Sequence, residues 1–152
     1  MNNIKQSGYK SGLSSSFSSE AIAQFEEACK LEELQDWSAA KSKFKGACLM
    51  GHRDAAYRVG LLCLQGSDKD RLEAVFWFRK SANNNHPDAL YQLGLIYEQG
   101  LGVAEDMEQA VRMWHSAAQG GSDDAQTKLA SLPSNLARIT WQKLEPRKTS
   151  SA

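Results

Sequence analysis

The stretch DAAYRVGLLCLQG, residues 54–66, returns with few changes as DALYQLGLIYEQG at residues 88–100. Such self-similarity narrows the possible folds more than composition does, because it means that one supersecondary unit is used several times. Asp54, Asp88 and Asp124 mark the register and give periods of 34 and 36 residues. The second half of each unit agrees independently: AVFWFRKSA (74–82) aligns with AVRMWHSAA (110–118). An earlier segment, AAKSKFKGAC (39–48), places Ala40 with Ala74 and Ala110, and Phe44 with Phe78 and Trp114.

Each unit reads as two helices. Ala89, Leu93, Gly94 and Tyr97 recur at helical spacing in the first, and Ala110, Met113, Trp114, Ala117 and Ala118 do so in the second. Gly66 and Gly100 are placed where a helix can stop in a left-handed conformation. Asp70 precedes Glu73 by three and Asp106 precedes Gln109 by three, a helix-start spacing. Gly60 and Gly94 share one repeat position. Glycine inside a helix is unfavourable by up to about 1 kcal/mol, so the pair implies a close helix crossing. One helix pair cannot cover its own apolar face, whereas stacked pairs share a continuous core.

The segment ALYQLGLIYEQGLGVAEDMEQAVRMWHSAAQGG, residues 89–121, resembles a Sel-one-like repeat over its whole length. Residues 55–87 follow the same pattern with a shorter loop and with Cys63 in the place of Tyr97. Residues 22–53 are closer to a tetratricopeptide repeat, since Ala28 and Ala40 are 12 apart where Gly60 and Ala74 are 14 and Gly94 and Ala110 are 16. The resemblance implies an all-α fold: a short right-handed α-solenoid of antiparallel helix pairs. It also implies a non-enzymatic role as adaptor or scaffold. After Pro133, SNLARITWQKLE carries Leu136, Ile139 and Leu144 on roughly one face, which predicts a C-terminal capping helix. The expected organisation is a Ser-rich tail at 1–18, a repeat domain of about three units plus cap at 19–145, and a second tail at 146–152.

In repeats of this kind the first helices line the concave face. Phe25, Tyr57 and Tyr91 then occupy one equivalent column, Leu61 and Leu95 a second, and Gln65 and Gln99 a third. Aromatic anchors beside an apolar row and an edge of amides suit an extended peptide or a short helix. The same aromatics also suit packing against the next repeat, and an aromatic can do both.

Lys plus Arg and Asp plus Glu each total 18, which gives no reason to expect nucleic acid or an anionic membrane. Between residues 88 and 137 seven acids face only Arg112 and Lys128, a weak preference for a basic or mixed ligand. Arg138, Lys143, Arg147, Lys148 and Trp141 make the end basic, and exposed bases on a cap helix account for them. His52 and His86 each stand two residues before a register Asp, with Ser122 in the same place of the next unit, so they read as turn residues. Zinc needs about four converging ligands, and Cys48 beside His52 does not supply them. Cys29, Cys48 and Cys63 form no CxxC pair and read as reduced thiols. No catalytic constellation, metal set or cofactor motif emerges, and no cofactor is expected.

Neither a membrane-length apolar run nor the apolar centre of a secretory signal is present, which makes a cytoplasmic location the expectation. The Ser-rich front is equally compatible with a phosphorylation target, a signal for specialised secretion or an idle tail. The expected function is groove binding of a partner's peptide or helix by a monomer. Its rival is a structural subunit that self-associates or completes a larger complex through its repeat ends.

Overall fold

The computed structural model describes residues 18–136. Among them are seven helices: α1 (Ser19–Glu33), α2 (Trp37–Leu49), α3 (Ala55–Leu64), α4 (Asp68–Ala82), α5 (Pro87–Gln99), α6 (Met107–Gln119) and α7 (Asp123–Ala130). They pack pairwise, α1 with α2, α3 with α4 and α5 with α6, and the pairs stack in chain order as a repeat solenoid. α7 opens a further unit and ends before Pro133, as the sequence predicts. Helical backbone resumes at 134–136, where the capping helix was expected to begin. The rest of that helix, with Ile139 and Leu144, and the 146–152 tail lie outside the described residues. So does the front, except that Ser18 accepts a hydrogen bond from the Ala21 amide at 3.2 Å and caps α1.

Small residues let the two helices of a pair approach. A Cβ on Gly60 would lie 2.7 Å from the Phe78 ring, and one on Gly94 would lie 2.2 Å from Trp114 Nε1, closer than side chains tolerate. Trp114 is fully buried and its indole N–H donates to the Tyr91 carbonyl at 3.3 Å, so the ring cannot step aside without losing that bond. Ala28 and Phe44, the equivalent residues of the first unit, are buried in the same core as Gly60's partner Phe78. That core runs from α1 to α5, and a second one, built on Val111, Trp114, Ala117 and Ala125, continues it into α7.

Two start and stop signals differ from expectation. Gly100 does take a left-handed conformation, at φ 64°, and closes α5. Gly66 is not left-handed; what it provides is room, because a Cβ there would lie 2.5 Å from the Asp70 carboxylate. That carboxylate is folded back onto Ser67, accepting from its amide at 2.8 Å and its hydroxyl at 2.7 Å. Asp70 therefore sits inside the first turn of α4, with Ser67 as the cap, one turn earlier than the Asp70/Glu73 spacing suggests. Asp106 caps α6 as predicted, accepting from the Gln109 amide at 3.0 Å.

Candidate functional site

The predicted columns lie at equivalent positions on α1, α3 and α5. Phe25, Tyr57, Leu61, Tyr91 and Leu95 are all half-buried, and Gln65 and Gln99 are exposed near the ends of α3 and α5. Phe25, Tyr57 and Leu61 pack on the first core, Tyr91 and Leu95 on the second. Each aromatic thus gives one side to the fold and keeps another at the surface.

What holds two of these rings is the turn that follows each unit. His52 stacks on Phe25 with ring centroids 4.0 Å apart and planes 8° from parallel, while Phe44 meets the same ring edge-on at 5.2 Å. His86 stacks on Tyr57 at 4.6 Å, and Phe78 approaches that ring at 5.9 Å. The aromatic ladder is therefore continued by imidazoles at the first two joints.

His86 does more. Its ring is almost wholly buried, Nδ1 accepts from the Ala89 amide at 3.4 Å to cap α5, and Nε2 lies 3.3 Å from Asp54 Oδ1. This assigns the neutral tautomer with its proton on Nε2, donated to Asp54. That bond holds the Asp54 carboxyl below its ordinary range, against the opposing effect of burial. At the next joint Ser122 caps α7 by accepting from the Ala125 amide at 3.3 Å. The register Asp and the turn His are thus one device, joining the start of one unit to the start of the next.

Burial pushes the His52 and His115 imidazoles below their ordinary values. It raises the thiols of Cys29, Cys48 and Cys63 above theirs, so all three stay protonated at neutral pH. None is in a disulfide. Among the described residues no three His, Cys, Asp or Glu side chains converge as metal ligands would, and no helix is long and apolar enough to cross a membrane.

The acidic excess on the later units is partly consumed. Glu98 pairs with Lys128 at 2.8 Å and Glu108 with Arg112 at 2.6 Å. Asp88, Asp123 and Asp124 lie in first turns of α5 and α7, where negative charge complements the helix dipole.

Sequence reasoning missed the charged clasp on α4. Glu73 accepts from Lys41 at 2.8 Å, Lys45 at 2.6 Å and the Trp77 indole at 3.1 Å, and the two ammonium groups bring its carboxyl down to about 2. Lys41 and Lys45, four apart on α2, carried the only hint. It also missed Leu72 and Phe76, which stand 58% and 60% exposed on α4. Their spacing of four, off the columns of Ala74 and Phe78, could have revealed them.

With this geometry in view, residues 53–86 and 87–122 each match the family model described as Sel1 repeat. Residues 53–122 are two Sel1 repeats. The boundaries of the matched Sel1 repeats fall beside His52, His86 and Ser122, at the joints just described. A Sel1 repeat protein of Oxalobacter formigenes has the same solenoid, with a TM-score of 0.64 and 28% identity over 74% of this chain and 90% of that one. The DAP3-binding cell death enhancer 1 of Rattus norvegicus is 32% identical over 105 residues, 64% of this chain and 21% of that protein. The chitin synthase regulator SKT5 of Saccharomyces cerevisiae is 36% identical over 112 residues, 69% of this chain and 16% of that protein. The chain thus spans only a sixth to a fifth of the length of these two curated relatives.

Proposed function

We propose that this Sel1 repeat protein is a non-enzymatic interaction module that grips a peptide or short helix of a partner along the first-helix face. The observation that carries this reading is the half-exposed series of Phe25, Tyr57 and Tyr91 on three successive first helices, flanked by Leu61 and Leu95 and edged by exposed Gln65 and Gln99. Rings held on one side by Phe44, Phe78 or an imidazole offer rigid surface, and rigid aromatics lose little entropy on binding. Amides at the edge can pair with a ligand's backbone. The names of two relatives, one a regulator and one a binding protein, are in keeping with such a role. Acids left over on the later units favour a basic or mixed ligand, and so short an array gives an affinity near micromolar, about −8 kcal/mol.

Affinity capture from native lysate tests this with the wild type beside two folded variants, Tyr57→Ala with Tyr91→Ala, and Gln65→Ala with Gln99→Ala. The first pair is expected to lose its partner and the second to weaken it. Equal retention by all three would sink the groove reading.

A second reading has its own observation. Ile22, Leu34 and Trp37 stand 43%, 77% and 46% exposed on the first helix pair, the end of the described stack. End-to-end self-association would cover them, and light scattering across a concentration series separates it from a monomeric groove binder.

A further inference from the structure

On the far side of α5 from the aromatic ladder lies a second surface. At about 100° per residue, Tyr91, Leu95 and Gln99 cluster on one face of that helix, while Leu90, Leu93 and Tyr97 cluster almost opposite. The latter three floor a cavity of about 190 Å³, walled by Arg79 and Ala82 of α4, by Asn83 at its C-terminal cap and by Met113 of α6. A cavity of about 150 Å³ accommodates a benzene ring, so this one has room for a single large apolar side chain.

The wall provided by α4 extends beyond the cavity. Leu72, Phe76, Arg79 and Asn83 follow one another at spacings of four, three and four, and all are exposed. That is one continuous stripe along the helix. Its far end is met by the α5–α6 loop, where Gly102 comes so close that a Cβ would lie 3.2 Å from Leu72 Cδ2. Leu72 and Phe76 spend apolar area on solvent with no return to the core, although the buried columns of α4 are only one residue away. Phe76 is held edge-on by Trp77 at 5.3 Å, so the exposed ring is positioned.

The charge on this stripe selects the occupant. Arg79 donates to the neutral Tyr97 hydroxyl at 2.7 Å, and the Lys80 ammonium lies 5.4 Å above the Trp77 ring. Of these two cations Arg79 lines the apolar pocket, and its described contact is uncharged.

We propose that the α4–α6 cleft is a second docking site, taking a partner segment that seats one large apolar side chain in the cavity and offers a carboxylate to Arg79. Leu72 and Phe76 extend the contact along the segment. This surface prefers an acidic ligand, the opposite of the first-helix face, so the module holds two different segments on its two sides.

A display library of random dodecapeptides, selected on the full chain, tests this with affinities read by fluorescence polarisation. Selected peptides are expected to combine aromatic or large aliphatic residues with acids. Their affinity should fall about tenfold or more on the Phe76→Ser, Arg79→Glu double variant and stay unchanged on Tyr57→Ala with Tyr91→Ala. Both altered α4 residues are exposed, so folding is retained. Replacing the acids of a selected peptide by lysine should restore binding to the Arg79→Glu chain. Enrichment of basic peptides alone, equal binding of acidic peptides by wild type and the α4 variant, or no enrichment at all would overturn the proposal. Loss confined to the Tyr57, Tyr91 variant would overturn it while leaving the groove reading intact.

Discussion

The joint between the first and second units and the joint between the second and third are built from different forces. At the first, Glu73 of α4 reaches back to Lys41 and Lys45 of α2, Arg58 pairs with Glu32, and the Arg58 guanidinium lies 5.6 Å over the Phe44 ring. At the second, a buried imidazole caps a helix, stacks on Tyr57 and holds Asp54, while Arg53 donates to the Asn85 carbonyl at 3.4 Å. Ion pairs that are a third exposed are screened by salt and worth little singly. A buried ring tied at both nitrogens is neither screened nor replaceable by water. Similar repeats therefore stack through unlike joints, and the difference resides in a few side chains, Glu73 with its two lysines at one and His86 with Asp54 at the other.

The largest expected effect tests what both joints rely on, the crossing inside each unit. Gly94→Leu should destabilise by about 1–3 kcal/mol through overpacking against Trp114, and more than Gly60→Leu, because the Phe78 ring has no hydrogen bond to keep. Gln99→Leu, on an exposed position, should leave urea unfolding within about 0.5 kcal/mol of wild type. The reverse order would mean that the register assigned to the repeats is wrong.

Next comes the buried joint itself. His86→Ala should cost about 1–2 kcal/mol through the lost cap and the unpaired Asp54, and His52→Ala less. His86→Ser should recover part of that loss, since Ser122 performs the same capping one unit on. Thermal melts of the three variants check this, and equal losses at both histidines would erase the contrast between the joints.

The smallest effect belongs to the ionic joint. Glu73→Gln should lower the melting temperature slightly at low salt and hardly at all at 1 M, where the screening length is about 3 Å. Because the folded Glu73 carboxyl sits at about 2 against an ordinary 4.5, its contribution is present in full above pH 4.5 and is lost as pH falls through about 2. The Gln variant should therefore melt with a shallower acid limb than wild type. Loss of stability independent of both salt and pH would show that Glu73 acts by packing.

What the sequence made legible was whatever repeats. The Gly and aromatic columns, the turn histidines and the helix pairs all follow from residues that recur at one register, because recurrence reports packing shared by every unit. What it concealed depends on how one unit is rotated against the next. Asp70 turning back onto Ser67, Glu73 reaching α2 and Gly66 clearing room for a carboxylate are roles that differ from those at the equivalent places, where Asp106 caps α6 and Gly100 turns left-handed. Phe76 was obscured by its neighbours, since in FWF the flanked Trp77 and the following Phe78 are buried and the first Phe is not. The site was legible as a set of positions. The stacking of His52 on Phe25 and of His86 on Tyr57 was not, because it depends on how each turn folds back over the preceding unit.

Each helix of this stack makes its main backbone contacts with its neighbours along the chain. Pulled from its two ends, such a chain should not rupture as a unit but pay out length helix by helix, with the weakest joint going first. A partner bridging two neighbouring units would act as a clamp at that point, turning a compliant spring into a stiff one. In such a stack, binding and mechanical resistance would then be set by the same few side chains at the joints.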